Sequence, residues 1–460
     1  YLAIDEPRKL TREDWVRIGF ATTLHPNETL PINEPGVIEF ENRFCQDRFW
    51  TNSEAGPNTR FMCTGNAFTV VGDAAFPFFV DGERGVLAQF RHQYFIVFLI
   101  AHLHRASLLA FSEVLVDAVN DLDIRNDVSV VAVSLKKMTM ALAAGYSPER
   151  IYMHGNNKTD AELELAASAG VGHLILDSFD EIERCERVLT RQQDVLIRVT
   201  PGIKPSTHSY IQTGQMDSKF GFGLENGSAA KAIERVLASD RLNLVGLHFH
   251  IGSQIFEIEP FRLAVESLAE LKGDWLKMLD LGGGLGISYG DTDEPPEIAS
   301  YVDLKVAAVR EFFDEDVRIL VEPGRSLVGT AGVTIYTVGT IKEIDGIRTY
   351  LSVNGGMSDN LRPMLYDAKY AAVIADRADD PAERVVTIAG SHCESGDILV
   401  RDVALADPKV GDILLTPATG AYGHSMANNY NGMPRPPVIF CEDGQSRVVV
   451  RRETYEDLLV

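Results

Sequence analysis

Residues 151–178 read IYMHGNNKTDAELELAASAGVGHLILDS, and the alternation inside this stretch decides the fold. A short apolar run (IYMH, 151–154) precedes an amphipathic helical pattern (DAELELAASAG, 160–170), and a second short apolar run follows (HLILDS, 173–178). Strands that alternate with helices at this spacing predict βαβ units and therefore a parallel sheet.

The same alternation extends in both directions, from about residue 76 to residue 322. A second helical pattern is DEIERCERVLTRQ (180–192). The other predicted strands are VSVVAV (128–133), DVLIRV (194–199), LVGLHFHIG (244–252), MLDLGGG (278–284) and RILVEPG (318–324). At least seven strands over roughly 250 residues, each ending in polar or glycine-rich residues, favour a (β/α)8 TIM-like barrel over an open sheet. We predict this barrel over residues 77–333.

After residue 333 the pattern changes to short strands separated by turn residues, with little helical periodicity. The predicted strands here lie within 334–344, 348–356, 384–390, 412–420, 436–443 and 446–453. This texture predicts an antiparallel β-domain over residues 334–460. Residues 1–76 show no clear periodicity, and we treat them as an N-terminal segment that contributes in part to the β-domain.

Composition narrows the class of protein. The chain has 460 residues and a formal net charge of −23, which argues against nucleic acid or an anionic membrane as partner, because both reward basic patches. The five scattered cysteines form no metal-binding spacing and no disulfide framework, so we expect no metal site and a cytoplasmic location. The most apolar run, YFIVFLIAHL (94–103), is about half as long as a membrane span, and we expect a buried strand or helix there.

Two motifs lie at the carboxyl ends of predicted barrel strands, where a barrel places its active-site loops. In HFHIGSQ (248–254), a histidine at a strand end is either a core residue or a flat ring that stacks on an aromatic cofactor. In DLGGGLG (280–286), three glycines make either a tight turn or a backbone nest for an anion, and the spacing differs from the dinucleotide-binding fingerprint.

A third motif at a strand end is VEPGRSL (321–327). Taken alone, Glu322 and Arg325 form a surface ion pair. In a site they suit a protonated ring nitrogen and a phosphate or carboxylate, respectively. Together with the glycine run one strand earlier, they suggest a phosphorylated heteroaromatic cofactor.

Three polar, glycine-rich loops of the β-domain carry further candidates. They are GGMSDNLRPMLYDAKY (355–370), GSHCESGDIL (390–399) and GAYGHSMANNYNGMPRP (420–436), with Arg362, Tyr366, Cys393, Glu394 and Tyr422. Cys393 lies beside Glu394 and near Asp397, so the local charge does not indicate a reactive thiolate.

In their order and spacing, the motifs HFHIGSQ, DLGGGLG, EPGR, GGMSDNLRPMLY, HCESGDI and GAYGHSM…YN…RP resemble the meso-diaminopimelate decarboxylase family. This family belongs to the alanine-racemase-like class of pyridoxal 5'-phosphate enzymes. The resemblance extends from HGNNK (154–158) to the C-terminus. It implies a barrel followed by a β-domain, a homodimer with shared active sites, and decarboxylation of an amino-acid substrate, meso-2,6-diaminopimelate, to L-lysine and CO2.

The resemblance also implies residue roles. His250 would stack on the pyridine ring and Glu322 would pair with its nitrogen. The phosphate would be lined by Ser253, Gly282, Gly283, Gly284 and Arg325. The substrate would be held by Arg325, Arg362, Tyr366, Glu394 and Tyr422, with Tyr422 also near the cofactor. Cys393 of the partner subunit would return a proton after CO2 has left.

One residue of the family pattern is missing. The cofactor in this class binds covalently to a lysine at the end of the first barrel strand, yet no lysine lies between Lys9 and Lys136. In the expected region, IAHLHRASLLAFSEVL (100–115), Arg105 is the nearest counterpart, and its protonated guanidinium is no amine nucleophile.

Three explanations stay open. The chain is a catalytically silent homologue that binds a phosphorylated ligand, or Lys136 or Lys137 takes the place of the lysine, or residues 43–140 are a corrupted segment. We expect both lysines to be solvent-facing helix residues, which counts against the second explanation. A racemase or another basic-amino-acid decarboxylase on the same fold is disfavoured by HCESGD and by the Arg362/Tyr366 loop.

Overall fold

The computed structural model describes residues 60–64, 67–71, 94–99, 128–132, 134–143, 145–203, 217–290, 292–442 and 445–459. The chain folds into two compact units. One unit includes Ser288–Asp293 and Leu327–Val460, and the other includes Glu294–Ser326 and the barrel strands that precede Ser288. The domain boundaries at residues 76 and 333 stay a prediction.

The first described strands form a hairpin. Strand β1 (Arg60–Thr64) pairs with β2 (Ala67–Val71) in antiparallel fashion. This hairpin lies beside strands of the C-terminal sheets described below.

Eight parallel strands in the described part of the chain close into a barrel. Each pairs with its neighbours in chain order, and the last pairs with the first. An additional two-residue strand, β8 (Phe222–Gly223), pairs in parallel with the last residues of β7 (Gln193–Thr200). The barrel strands are β3 (Tyr94–Leu99), β4 (Val128–Ala132), β5 (Ile151–Met153), β6 (His173–Leu176), β7 (Gln193–Thr200), β9 (Leu242–His248), β10 (Met278–Asp280) and β11 (Arg318–Val321). The predicted (β/α)8 barrel is confirmed.

The first barrel strand comes from the apolar run at 94–103. Strand β3 lies between β4 and β11 and supplies the strand that closes the barrel. The expected lysine region, 100–115, follows it directly and lies outside the described residues.

Helices connect the barrel strands, and the two helical patterns predicted from the sequence form two of them. The clearest capped example is α2, whose N-cap Thr159 and Glu162 form a reciprocal capping box and whose C-cap Gly170 is left-handed. Helix α3 ends four residues before the predicted end at 192, because Leu189 turns to extended backbone and is buried. The helices are α1 (Leu135–Ala143), α2 (Asp160–Ala169), α3 (Phe179–Val188), α4 (Ser228–Leu237), α5 (Glu259–Leu268), α6 (Ile298–Phe312) and α7 (Gly324–Val328).

An apolar layer fills the barrel interior. One buried side chain comes from each of seven strands: Val131, Tyr152, Ile175, Leu196, Val245, Met278 and Leu320. Since this layer closes the interior, polar side chains gather at the carboxyl ends of the strands.

The C-terminal unit contains a six-stranded sheet in the order β14-β17-β12-β13-β15-β16 and a separate pair, β18 and β19. Most pairings are antiparallel, as predicted, but β13 and β15 are parallel. The pattern did not indicate β14 or β16. The elements are β12 (Thr334–Ile344), β13 (Arg348–Val353), α8 (Arg362–Tyr366), β14 (Val373–Ile374), β15 (Arg384–Ala389), β16 (Ile398–Leu405), β17 (Ile413–Thr416), β18 (Val438–Glu442) and β19 (Gln445–Val450).

Among the residues that the structure describes, no helix combines the length and the apolar character that crossing a bilayer requires.

Candidate active site

A carboxylate between two histidines occupies the strand ends of the barrel. Glu322 follows β11, and its Oε1 lies 3.2 Å from His154 Nε2 while its Oε2 lies 3.7 Å from His248 Nε2. His154 follows β5 and His248 ends β9, and their rings meet edge to face at 4.8 Å. All three side chains are almost completely buried. Glu322 is therefore held by imidazoles from two other strands.

A second carboxyl group, Asp280 at the end of β10, completes this cluster. Polar atoms of His154, His248, Asp280 and Glu322 all lie within 4.8 Å of one another. Burial raises the pKa of Asp280 well above its usual range, and the neighbouring Glu322 charge raises it further. Burial opposes ionisation of Glu322 as well, but His154 and His248 hold its pKa well below the usual range. The pair therefore carries one negative charge, on Glu322.

These four side chains also offer the nitrogen and oxygen donors of a transition-metal site. Cysteine and histidine spacing in the sequence did not indicate this cluster, because its members lie on separate strands.

The glycine run after β10 makes close backbone contacts. Gly282 has φ +57°, and a Cβ added there would lie 2.3 Å from the Phe249 carbonyl oxygen. A Cβ on Gly283 would lie 2.1 Å from the Glu322 carbonyl oxygen. Larger residues would push the segments after β9 and β11 away from this turn, so the turn needs glycine.

Two amides of this turn donate to side chains of the chain itself. The Gly282 N–H donates to Asp280 Oδ1 at 3.0 Å, and the Gly283 N–H donates to His250 Nδ1 at 3.2 Å. An Nδ1 that accepts leaves the proton of a neutral imidazole on Nε2. Burial lowers the pKa of His250 to about 4, so the ring is neutral near pH 7. The turn thus fixes both the tautomer and the position of the ring.

A guanidinium and a hydroxyl lie beside the turn. Arg325, at the start of α7, donates from Nη2 to Ser253 Oγ at 2.8 Å and is buried. Gln254 ties the loop after β9 to the segment after the glycine turn, because its side-chain amide donates to the Ile287 carbonyl and accepts from the Ile287 N–H. The six cofactor candidates that share these connected loops beside Glu322 are His250, Ser253, Gly282, Gly283, Gly284 and Arg325.

In the C-terminal unit, Arg362 is clamped between aromatic rings. Its guanidinium carbon lies 4.4 Å from the Tyr289 ring centroid and 5.5 Å from that of Tyr370, and Nη1 donates to the Tyr370 hydroxyl. Arg362 is buried, whereas Tyr366, one helical turn later, is half-buried. The clamp holds a cation in one orientation.

The HCESGD loop is fixed by Asp397. Its carboxylate accepts from the His392 N–H at 2.9 Å and from the Met357 N–H at 2.7 Å, which ties loop 390–397 to loop 355–360. Cys393 and Glu394 are exposed, and Glu394 accepts a hydrogen bond from the Tyr430 hydroxyl. Tyr422 has a left-handed backbone with φ +59°.

The expectation that both Lys136 and Lys137 face solvent is wrong for Lys137. Its side chain is buried, which lowers its pKa to about 8. The helix that starts after β4 also buries Met138, Met140 and Ala141 in the barrel unit. The side chain of Lys136 lies outside the described residues.

Known proteins match this chain over most of its length. The family model of the pyridoxal-dependent decarboxylase, pyridoxal binding domain, matches residues 119–329. The diaminopimelate decarboxylase of Bacillus subtilis (strain 168) is 48% identical over 345 residues, which cover 72% of this chain and 79% of that protein. The diaminopimelate decarboxylase of Staphylococcus aureus (strain COL) is 44% identical over 343 residues, with coverage of 73% and 81%. The chain belongs to the diaminopimelate decarboxylase family.

A solved structure of this family agrees with the fold. The crystal structure of diaminopimelate decarboxylase from Helicobacter pylori complexed with L-lysine superimposes with a TM-score of 0.70 at 31% identity, covering 80% of this chain and 89% of that chain. The match of the pyridoxal-binding family model begins at residue 119, downstream of the expected lysine region at 100–115. The resemblance is confirmed, and the identified family is a decarboxylase rather than a racemase.

Sequence reasoning missed the residues that hold the cofactor candidates in place. His154, His248 and Asp280 stood at the edges of the motifs without a role. A usable signal was present, because each lies near the end of an observed barrel strand, where polar residues gather. No local pattern indicated the Tyr289–Arg362–Tyr370 clamp, which joins residues far apart in the sequence.

Proposed function

We propose that this chain catalyses the pyridoxal 5'-phosphate-dependent decarboxylation of meso-2,6-diaminopimelate to L-lysine and CO2, the last step of lysine biosynthesis. The observation that carries this proposal is the buried Glu322 carboxyl group between His154 and His248, beside a glycine turn and an Arg–Ser pair at the strand ends. The relatives are named as decarboxylases, which favours the enzyme over the silent homologue.

The side chains at the strand ends fit the cofactor chemically. A negative Glu322 keeps a pyridine nitrogen protonated, while Arg325 and Ser253 offer donors to a phosphate. Gly282, Gly283 and Gly284 would line the phosphate, but the N–H groups of Gly282 and Gly283 already donate within the chain, so these two glycines would allow a close approach rather than donate. His250 would stack on the face of the pyridine ring. When bound, the cofactor is an electron sink for the charge left by departing CO2.

The β-domain loops suit the far end of the substrate. meso-Diaminopimelate carries a second carboxylate and a second ammonium group, which call for a cation and an anion. We assign Arg325, Arg362, Tyr366 and Tyr422 to the carboxylates and Glu394 to the ammonium. Tyr430 fixes the direction of Glu394 through its hydroxyl.

We also propose a cytoplasmic homodimer in which each site takes residues from both chains. Cys393 of the partner subunit holds the proton that the α-carbon receives. The exposure of Cys393 and Glu394 supports this assignment, because a residue that acts in a neighbouring subunit must lie at the surface of its own.

Lys137 is the candidate for the covalent anchor of the cofactor. Lys137 is buried and its pKa is lowered to about 8, so part of its amine is neutral and nucleophilic near pH 7. It follows the second barrel strand, whereas the family lysine follows the first.

The experiment combines turnover with chemical labelling. The purified chain with pyridoxal 5'-phosphate is expected to release L-lysine and CO2 in equal amounts from meso-diaminopimelate and neither product from L-ornithine, which lacks the second carboxylate. Borohydride reduction followed by peptide mass spectrometry then identifies the anchoring lysine.

The outcomes separate the explanations. A label that disappears in Lys137→Met but persists in the exposed control Lys231→Met establishes Lys137 as the anchor. If no lysine side chain carries the label and no free L-lysine is formed, the decarboxylase proposal is wrong for this chain and the silent homologue takes its place.

A further inference from the structure

A buried lysine supports the glycine turn from helix α6. Lys305 is 0% exposed, and its Nζ donates to the carbonyl oxygens of Leu281 at 2.8 Å and Gly282 at 3.1 Å. The Tyr301 hydroxyl, one helical turn earlier, lies 2.5 Å from the same Nζ. Lysine is almost never fully buried without a specific partner, so this arrangement calls for a reason.

The polar neighbours of Lys305 are three hydrogen-bond acceptors that surround its Nζ. Burial lowers the pKa of Lys305 well below its usual range and raises that of Tyr301 well above. Nζ donates to both carbonyls and to the Tyr301 hydroxyl oxygen, and the Tyr301 hydroxyl donates in turn to the Gly282 carbonyl oxygen at 3.4 Å. These three interactions use the hydrogen-bonding capacity of Nζ, so Lys305 is unsuited to anchor a cofactor covalently.

The carbonyl that Lys305 binds is central to the site. The Gly282 carbonyl oxygen also accepts from the Glu322 backbone N–H at 3.0 Å. The next amide, Gly283 N–H, donates to His250 Nδ1. A rotation of the 282–283 peptide plane would therefore move the ring of His250 and the backbone of Glu322 together.

We propose that Lys305, assisted by Tyr301, is a positioning residue of the cofactor site. It fixes the Leu281 and Gly282 carbonyls, and through them the Gly283 amide against His250 and the turn against Glu322. This inference rests on the proposed function, because the site that it positions is the one assigned to pyridoxal 5'-phosphate.

The first test measures ligand binding by the full chain without turnover. Pyridoxamine 5'-phosphate is the probe, since its amine needs no lysine and it reports only on the phosphate and ring contacts. We expect Lys305→Met to weaken binding about tenfold or more, through loss of two buried hydrogen bonds. The exposed control Lys231→Met keeps the native dissociation constant.

If Lys305→Met does not fold, a less disruptive variant and its control allow the same test. Tyr301→Phe removes the hydroxyl that contacts Lys305 and should raise the dissociation constant severalfold. Tyr152→Phe is the matched control: this buried tyrosine directs its hydroxyl at Met278 Sδ, 3.9 Å away, and binding should stay unchanged.

Hydrogen exchange tests the inference independently of any ligand. In Lys305→Met or Tyr301→Phe, the amides of peptide 281–286 should exchange at least about fivefold faster, while those of β6 keep the native rate. Exchange in the turn at the native rate in these variants would overturn the inference. A variant that binds pyridoxamine 5'-phosphate with native affinity but has a lowered melting temperature would also overturn it, because Lys305 would then have a purely structural role. A native chain that binds no probe would instead count against the proposed function, and the exchange rates would still decide the role of Lys305.

Discussion

The strand ends of the barrel and the Cys393–Glu394 loop of the β-domain present their candidate residues in opposite ways. Glu322 keeps 8% of its side chain exposed and lies between two buried histidines. Cys393 and Glu394 are exposed. A buried charge sets the protonation of its neighbours, whereas an exposed group acts largely on its own. The barrel therefore holds a coupled network, and the Cys393–Glu394 loop offers separate functional groups.

Removal of the buried charge should break the network with the largest effect. Glu322→Gln keeps the size of the side chain and one oxygen that can accept from His154 or His248, but it carries no charge to hold a ring nitrogen protonated. We expect decarboxylation of meso-diaminopimelate to fall about a thousandfold, the loss typical of a removed electrostatic partner at a reacting centre. The turnover number with saturating cofactor measures it.

Glu181→Gln is the matched control for this change. Glu181 is equally buried but pairs with Lys158 in the barrel wall. Its variant should lose stability while the folded enzyme keeps its turnover within a fewfold. Loss of activity in both variants to the same extent would mean that burial of any carboxylate matters, rather than the charge of Glu322.

Substitution of an exposed β-domain residue should lower the rate of the reaction and leave cofactor binding and stability unchanged. For Cys393→Ala we expect lysine formation to fall about a hundredfold, the scale of a missing proton donor. Binding of pyridoxamine 5'-phosphate and the melting temperature should stay native, because surface substitutions rarely shift stability.

The buried Cys441 supplies the contrasting variant. Cys441→Ala should lower the melting temperature and leave the turnover of the folded enzyme unchanged. A parallel loss of cofactor binding and turnover in Cys393→Ala would contradict the assigned role as proton donor.

The alternation of apolar runs and helical patterns in the sequence was enough to predict the fold class. Apolar runs and helix caps such as Thr159 and Gly170 set most element positions, because these depend on local chemistry. Strand β3 was harder, since a short apolar run suits a buried helix segment equally well. Helix α3 was predicted too long, because no local signal shows where a buried side chain such as Leu189 turns the backbone.

The site was predictable only in part. Motifs indicated Glu322, Arg325 and the glycine turn, because their residue types are unusual at strand ends. The cluster of His154, His248 and Asp280, and the support from Lys305, depend on which strand ends meet across the barrel. That is decided by strand register and not by any neighbour in the sequence.

The smallest predicted effect is a change in how stability depends on pH, which arises from the buried His248 of the coupled network. Burial lowers the pKa of His248 to about 3, against the pull of Glu322, whereas an unfolded histidine titrates near 6.5. Between those values the unfolded chain binds a proton that the folded chain does not. Stability therefore falls as pH drops below about 6.5, by about 1.4 kcal/mol per pH unit for this group.

His248→Asn removes that contribution. The quantity to compare is the slope of the free energy of unfolding against pH, not its absolute value. The free energy of unfolding in urea, measured for native and variant at pH 7.5, 6.5, 5.5 and 4.5, should fall less steeply in the variant below pH 6.5. Above that pH the two curves should run parallel, since both forms of the chain then hold a neutral side chain. The other titrating groups cancel in the difference. Equal slopes at low pH would mean that His248 is already protonated in the folded barrel, and that its contact with Glu322 is an ion pair.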